Sequence, residues 1–165
     1  GAIYFYNTSS GECVLHKVCG NGCCATTSSS SYGQFTYVRV NISASSKHCV
    51  NYSSIVRCVN ENLSSHYTLY HDYGKICCPS VNISMNKCGY RSGILCWPFQ
   101  DSSFVTCSLS YSSFADNNAT VYNCIYFQKT GAKYEMKCCN IIRNTQISDS
   151  YGTIHSNGNL NDREV

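Results

Sequence analysis

The sequence predicts an all-β, disulfide-rich fold of short antiparallel strands joined by long irregular loops, with a degenerate internal repeat. Three observations predict it. Apolar and polar residues alternate with period two in several segments, the pattern of half-buried strands. Fourteen cysteines stand among 165 residues, a density that marks a disulfide scaffold. Clusters of Ser, Gly and Asn punctuate the strand-like segments, and no window carries a helical stripe.

The elements follow in chain order. AIYFY, residues 2–6, is short, aromatic and β-prone, with apolar residues on both faces, so it calls for cover on both sides. In FTYVRVNIS, Val38, Val40 and Ile42 alternate with Tyr37, Arg39 and Asn41. SHYTLYHDY and SFVTCSLSY are rich in aromatic and β-branched residues, which favours strands. VYNCIYFQ-KTGA-KYEMKCC reads as a β-hairpin with Gly131 in the turn. Tyr134, Met136 and Cys138 form one face of its second strand.

The stretches 40–58 and 81–96 share the order VNIS, Lys, Cys, Ser, Ile, Cys, each behind a cysteine doublet. This suggests a repeated unit. Residues 1–63 form a first Cys-rich β module and 64–139 a second one ending in the hairpin, the two able to merge into one compact domain. The polar tail 140–165 is expected to need a partner subunit to order it, as an added strand.

The cysteines are Cys13, Cys19, Cys23, Cys24, Cys49, Cys58, Cys77, Cys78, Cys88, Cys96, Cys107, Cys124, Cys138 and Cys139. An even count suits a closed set of disulfides. Such a set belongs in an oxidising compartment. Three doublets occur, Cys23-Cys24, Cys77-Cys78 and Cys138-Cys139. A bond within a doublet would be strained. On an extended strand the two side chains leave by opposite faces, so each doublet is expected to send its sulfurs to different partners. Metal binding is the lesser reading. Cys19 and Cys23 have zinc-like spacing, and His66 and His71 lie near each other in sequence, but further ligand pairs are missing. No Cys-x-x-Cys is present for thioredoxin-like chemistry.

Six N-glycosylation sequons begin at Asn7, Asn41, Asn51, Asn62, Asn82 and Asn118. In VNIS, Val81 and Ile83 are expected to face the core and Asn82 the solvent, with Val40, Asn41 and Ile42 repeating the arrangement. N-linked glycans are therefore expected, and no cofactor. Twelve basic and nine acidic residues give a net charge of +3, with no basic stripe for a nucleic-acid partner. No apolar run is long enough to span a membrane. The start at Gly1-Ala2, without a signal peptide, reads as a mature, processed form.

No catalytic motif emerges. Gly89-Tyr-Arg-Ser-Gly93 misses the nucleophile-elbow pattern by one place and reads as a turn. His71-Asp72 reads as a surface histidine beside an aspartate. Residues 4–22 are similar to the middle of a Kunitz inhibitor, but the closing Cys-x-x-x-Cys helix is absent, so no inhibitory residue is assigned. The expected protein is a secreted, N-glycosylated, non-enzymatic structural subunit of an extracellular fibre, coat or matrix, associating with itself through strand-like termini. The alternative is a viral or cell-surface attachment domain that binds a host receptor through Tyr-rich loops such as NYSSIV and SHYTLYHDY.

Overall fold

The computed structural model describes residues 2–24, 33–60, 67–89, 91–119, 124–146 and 152–163. The described strands wind into six successive coils of a parallel β-solenoid. The first coil holds β1 (Ile3–Tyr6), β2 (Glu12–His16) and β3 (Cys19–Asn21). The second holds β4 (Gly33–Arg39), β5 (Lys47–Asn51), β6 (Ser54–Val56) and β7 (Val59–Asn60). The third holds β8 (Tyr67–Asp72), β9 (Lys75–Pro79), β10 (Asn82–Ser84) and β11 (Lys87–Cys88). The fourth holds β12 (Arg91–Trp97), β13 (Val105–Ser110), β14 (Ser113–Ala115) and β15 (Asn118–Ala119). The fifth holds β16 (Ile125–Phe127), β17 (Lys133–Lys137), β18 (Asn140–Ile142) and β19 (Thr145–Gln146), and the sixth β20 (Ile154–Ser156) and β21 (Asn159–Arg163).

Strands in the same place on successive coils pair in parallel and form four sheets. Sheet 1 runs β1-β4-β8-β12-β16-β20 and sheet 2 runs β2-β5-β9-β13-β17-β21. Sheet 3 runs β3-β6-β10-β14-β18 and sheet 4 runs β7-β11-β15-β19. Ile94 sits over Leu69, 25 residues on, and His48 over Cys13, 35 residues on, so coil length varies along the stack. The expected antiparallel pairing is overturned: every described pairing is parallel. The expected hairpin becomes a corner. β16 joins β12 and β20, whereas β17 joins β13 and β21. The tail assigned to a partner subunit is held within the chain, with β18 on β14, β19 on β15, β20 on β16 and β21 on β17. Among the described residues no helix is long and apolar enough to cross a membrane.

Alternation still decides which side chains enter the core. In sheet 1 the inward row runs Ile3, Thr36, Leu69, Ile94, Ile125 and Ile154. In sheet 2 Val50, Cys78, Leu109 and Met136 stack inward on consecutive coils. Sheet 3 contributes Ile55, Ile83 and Phe114. In the first coil this last row holds Gly20, where an added Cβ would run into the Phe35 ring. Phe35 therefore fills the space that a side chain at residue 20 would occupy.

The repeat exists, in a different register from the one the sequence suggested. Asn82-Ile83-Ser84 pairs with Ser54-Ile55-Val56 and with Ser113-Phe114-Ala115. The earlier VNIS, residues 40–43, lies after β4 and outside sheet 3. Val81 and Ile83 are buried and Asn82 is exposed, as the alternation requires. The upstream copy departs from it, with Val40 buried but Ile42 56% exposed.

Two columns of left-handed residues make the corners around sheet 3. Lys17, Tyr52, Ser80, Tyr111 and Cys138 have φ between 48° and 56° at the corner that enters it. Arg57, Met85, Asp116 and Arg143 have φ between 50° and 56° at the corner that leaves it. Such a conformation costs a non-glycine residue about 1–2 kcal/mol. It is held by side chains turned inward just after the bend. Asn86, Asn117 and Asn144 follow the second column and form a ladder. Asn86 Nδ2 donates to Asn117 Oδ1 at 3.0 Å, and Asn117 Nδ2 to Asn144 Oδ1 at 2.9 Å. The same amides reach back to the carbonyls of Ile55, Ile83 and Phe114 at 3.1, 2.8 and 2.7 Å. Each coil's bend thereby satisfies backbone groups of its neighbour, the requirement for burying an irregular segment.

Candidate functional site

The groups with chemical potential lie in three places: the outer face of sheet 2, a polar pocket inside the core, and the outer face of sheet 1.

On the outer face of sheet 2, Cys49 and Cys77 are direct Cα partners on adjacent coils. Ser108 is the next residue of that row, and its hydroxyl donates to Cys77 Sγ at 3.6 Å. Lys47 and Lys75 lie two residues before the cysteines and pair with each other in register. Lys47 also meets Glu12 at 3.0 Å. These residues line a cleft of about 410 Å3. The hydrogen bond from Cys49 draws the Cys77 thiol down to about 6, with help from Ser108 and against burial. Cys49 is raised, by its bond to Cys77 and then by burial.

The doublets do split between faces. Cys77 is exposed while Cys78 is buried, and Cys24 is exposed while Cys23 packs against the core. Cys138 and Cys139 sit at a corner rather than on a strand, and Cys139 is buried. Inside, Cys96 of sheet 1 meets Cys107 of sheet 2 across the core, with Cys78 close by. At the second corner Cys23 and Cys58 occupy the places that Asn86, Asn117 and Asn144 take in later coils, and their side chains touch. Burial foremost pushes Cys58 up to about 12, and Cys124 likewise. Among the described residues this structure contains no disulfide bond. Among the described residues no three metal-ligating groups converge. Cys19 lies on the outer row of β3, His71 lies in the core, and His66 is outside the described residues.

The polar pocket lies between sheets 1 and 2. His48 and His71 are 1% and 0% exposed, which corrects the expectation of a surface His71. Their rings stack at 4.9 Å. His48 Nε2 lies 2.7 Å from the carbonyl oxygen of Tyr73. A carbonyl only accepts, so Nε2 carries the proton and His48 Nδ1 must accept. His71 Nδ1 then donates to it across 3.1 Å, and His71 Nε2 accepts from the Thr36 hydroxyl at 3.3 Å. Both imidazoles are neutral in this chain of bonds. Burial lowers His48 to about 4, against the pull of the Tyr73 carbonyl, and lowers His71 well below its usual value with His48 adding to the effect.

The outer face of sheet 1 carries a column of Tyr4, Tyr37, Tyr70, Leu95, Tyr126 and His155, one residue per coil. Tyr4 and Tyr37 stack at 5.1 Å, and Tyr37 and Tyr70 at 5.2 Å. Tyr70 is thus buried rather than offered on a recognition loop. Beside the column, Arg39 lies over the Tyr73 ring at 4.8 Å and meets Asp72 at 3.4 Å. Asp72 is buried and its Oδ1 finds no hydrogen-bond partner among the described residues. Burial raises its pKa to about 6 despite Arg39.

Of the sequon asparagines, Asn82 stands exposed on sheet 3. Asn51 Oδ1 bonds His16 Nδ1 at 2.7 Å, and Asn7 Oδ1 accepts from Ser9 N at 2.9 Å. Asn41 lines a small cleft with Asn7 and Arg39. Asn118 Oδ1 is buried, and Asn62 is outside the described residues. The expected turn at Gly89–Gly93 gives way to strand from Arg91 onward, where β12 begins, and a Cβ on Gly93 would lie 2.5 Å from the Cys124 carbonyl oxygen. The stacked cysteine pairs and the asparagine ladder escaped sequence reading. Their one signal was a polar or cysteine residue four places after each outer-row Ser54, Asn82, Ser113 and Asn140, namely Cys58, Asn86, Asn117 and Asn144.

Searches of protein-family models, curated proteins and solved structures found no match to this chain.

Proposed function

We propose that this chain is a non-enzymatic structural subunit, secreted, N-glycosylated and stapled by disulfides, which assembles coil on coil into an extracellular fibre, coat or matrix. One observation carries the reading. Among the described residues, β1 and β2 of the first coil and β20 and β21 of the sixth pair on one side only, and their rows are complementary. Ile154 would meet Ile3, Leu160 would meet Cys13, and His155 would extend the aromatic column to Tyr4. A head-to-tail contact of this kind does not close on itself and generates a filament. An exposed parallel edge is a ready template for such pairing. Sequons such as exposed Asn82 and the close cysteine pairs suit an extracellular setting.

The hydrogen-bond parity of β1 supplies a test. Asn7 N donates to Arg39 O in the next coil. Alternation then directs the N–H groups of Ile3 and Phe5 toward β4, and those of Tyr4 and Tyr6 toward the open edge. Tyr4→Pro should remove an edge donor while sparing every bond to β4. Sedimentation velocity over rising concentration should show the parent chain growing into large species and the variant remaining monomeric. An attachment role is favoured by Tyr52 and Tyr111, 62% and 60% exposed on one corner column. An attachment module would stay monomeric with or without the substitution.

A further inference from the structure

The floor of the sheet-2 cleft joins two coils through facing cysteines. Cys49 of β5 and Cys77 of β9 are Cα partners in a parallel ladder. Adjacent strands lie about 4.8 Å apart, and a disulfide spans Cα atoms about 4.4–6.8 Å apart. Both side chains point outward. Their neighbours His48, Val50, Ile76 and Cys78 are buried, whereas Cys77 is exposed and Cys49 half-buried. Ser108 donates to Cys77 Sγ, and Lys47 and Lys75 line the same cleft. The Ser108 hydroxyl on Cys77 Sγ favours an accessible thiolate there, while Lys47 is paired with Glu12 and Lys75 lies over the Phe104 ring.

We propose that Cys49 and Cys77 are an exchange pair that closes into an inter-coil disulfide on meeting an external disulfide. The Cys77 thiolate attacks one sulfur of the incoming disulfide. Its S–S bond breaks, one thiolate leaves, and a mixed disulfide forms on Cys77. Cys49, deprotonated, then attacks Cys77 Sγ and expels the second thiolate. The pair gives up two electrons and two protons, and the external disulfide is reduced to two thiols. Cys96 and Cys107 are sealed in the core, and Cys58, which touches Cys23, is fully buried, whereas Cys77 is exposed to an incoming disulfide. The proposal rests on the extracellular reading only for the source of oxidant.

The test supplies that oxidant itself. The reduced, folded 165-residue chain is exposed to glutathione disulfide at neutral pH, quenched with acid and alkylated, and its tryptic peptides are mapped. Cleavage after Lys47, Arg57, Lys75 and Lys87 places Cys49 on one peptide and Cys77 with Cys78 on another. Fragmentation then separates Cys77 from Cys78. The expected result is a Cys49–Cys77 cross-link. In Cys49→Ser, Cys77 should hold the glutathione adduct at least about tenfold more than the parent does, because the resolving thiol is gone. A cross-link from Cys77 to another cysteine would overturn the proposal. So would an adduct that persists equally in the parent, a measurement that needs no variant beyond Cys49→Ser. Sedimentation of the same samples reads assembly separately, so failure of the pair and failure of the filament reading are distinguishable.

Discussion

Asn117 illustrates how much one side chain does in a stacked fold. Its amide donates to Ile83 O and Asn144 Oδ1, while its Oδ1 accepts from Asn86 N and Asn86 Nδ2. Asn117→Ala leaves buried polar groups on both neighbouring coils without partners. Each such group costs about 1–3 kcal/mol, so a loss of about 3 kcal/mol is expected in urea unfolding. Asn144→Ala, at the end of the ladder, should cost less; equal losses would show that the ladder does not act as a unit. The His48–His71 pair gives a second expectation. Unfolded histidines titrate near 6.5, whereas folded His48 does so at about 4. The unfolded chain therefore binds protons that the folded chain refuses. Stability is whole above pH 6.5 and falls as pH drops from 6.5 to 4, by about 3 kcal/mol for His48 alone. Asp72 acts in the opposite sense. Its raised pKa means that the folded chain holds a proton the unfolded one releases, which favours the fold at acid pH. Urea midpoints across this range should fall on acidification, and fall more steeply in Asp72→Asn. A flat profile would contradict the neutral-pair assignment.

At the scale of elements, the corners decide the fold. Met85 has φ of 54° and an exposed side chain. Met85→Gly should stabilise by about 1 kcal/mol by relieving the left-handed strain, and Met85→Val should destabilise by a similar amount. Equal urea midpoints for the two would show that the corner is not strained. The corners also mark where sequence reading stopped. Strands β4 and β17 are legible from the period-two alternation around Val38 and Met136, and β8 and β13 from their aromatic and β-branched residues. That period records which face is buried and says nothing of a neighbour's direction, so it fits hairpins and parallel coils alike. Tyr52, Arg57, Met85 and Tyr111 carry none of the usual glycine or asparagine signal for a left-handed bend. Connections of unequal length hid the spacing of Asn86, Asn117 and Asn144. Of the candidate site, the outward Asn82 and the split of Cys77 from Cys78 followed from alternation. The alignment of Cys49 with Cys77 depends on coil length and could not be read before the stack was known.

At the scale of the whole molecule, the six coils share a continuous inward core and a largely aromatic column outside sheet 1, and the first five also share left-handed corners around sheet 3. Each inner coil satisfies its neighbours' backbone, and the first and last described coils repeat the same pattern with pairing partners on one side among the described residues. A row that ends in Ile154 and begins in Ile3 needs no new chemistry to continue. The proposed filament extends this stacking from one chain to the next. Electron cryomicroscopy of the 165-residue chain at high concentration tests that claim most directly. Unbranched filaments with strands across the axis, repeating at about 4.8 Å along it, are the expected result. Monodisperse monomers at the same concentration would contradict it.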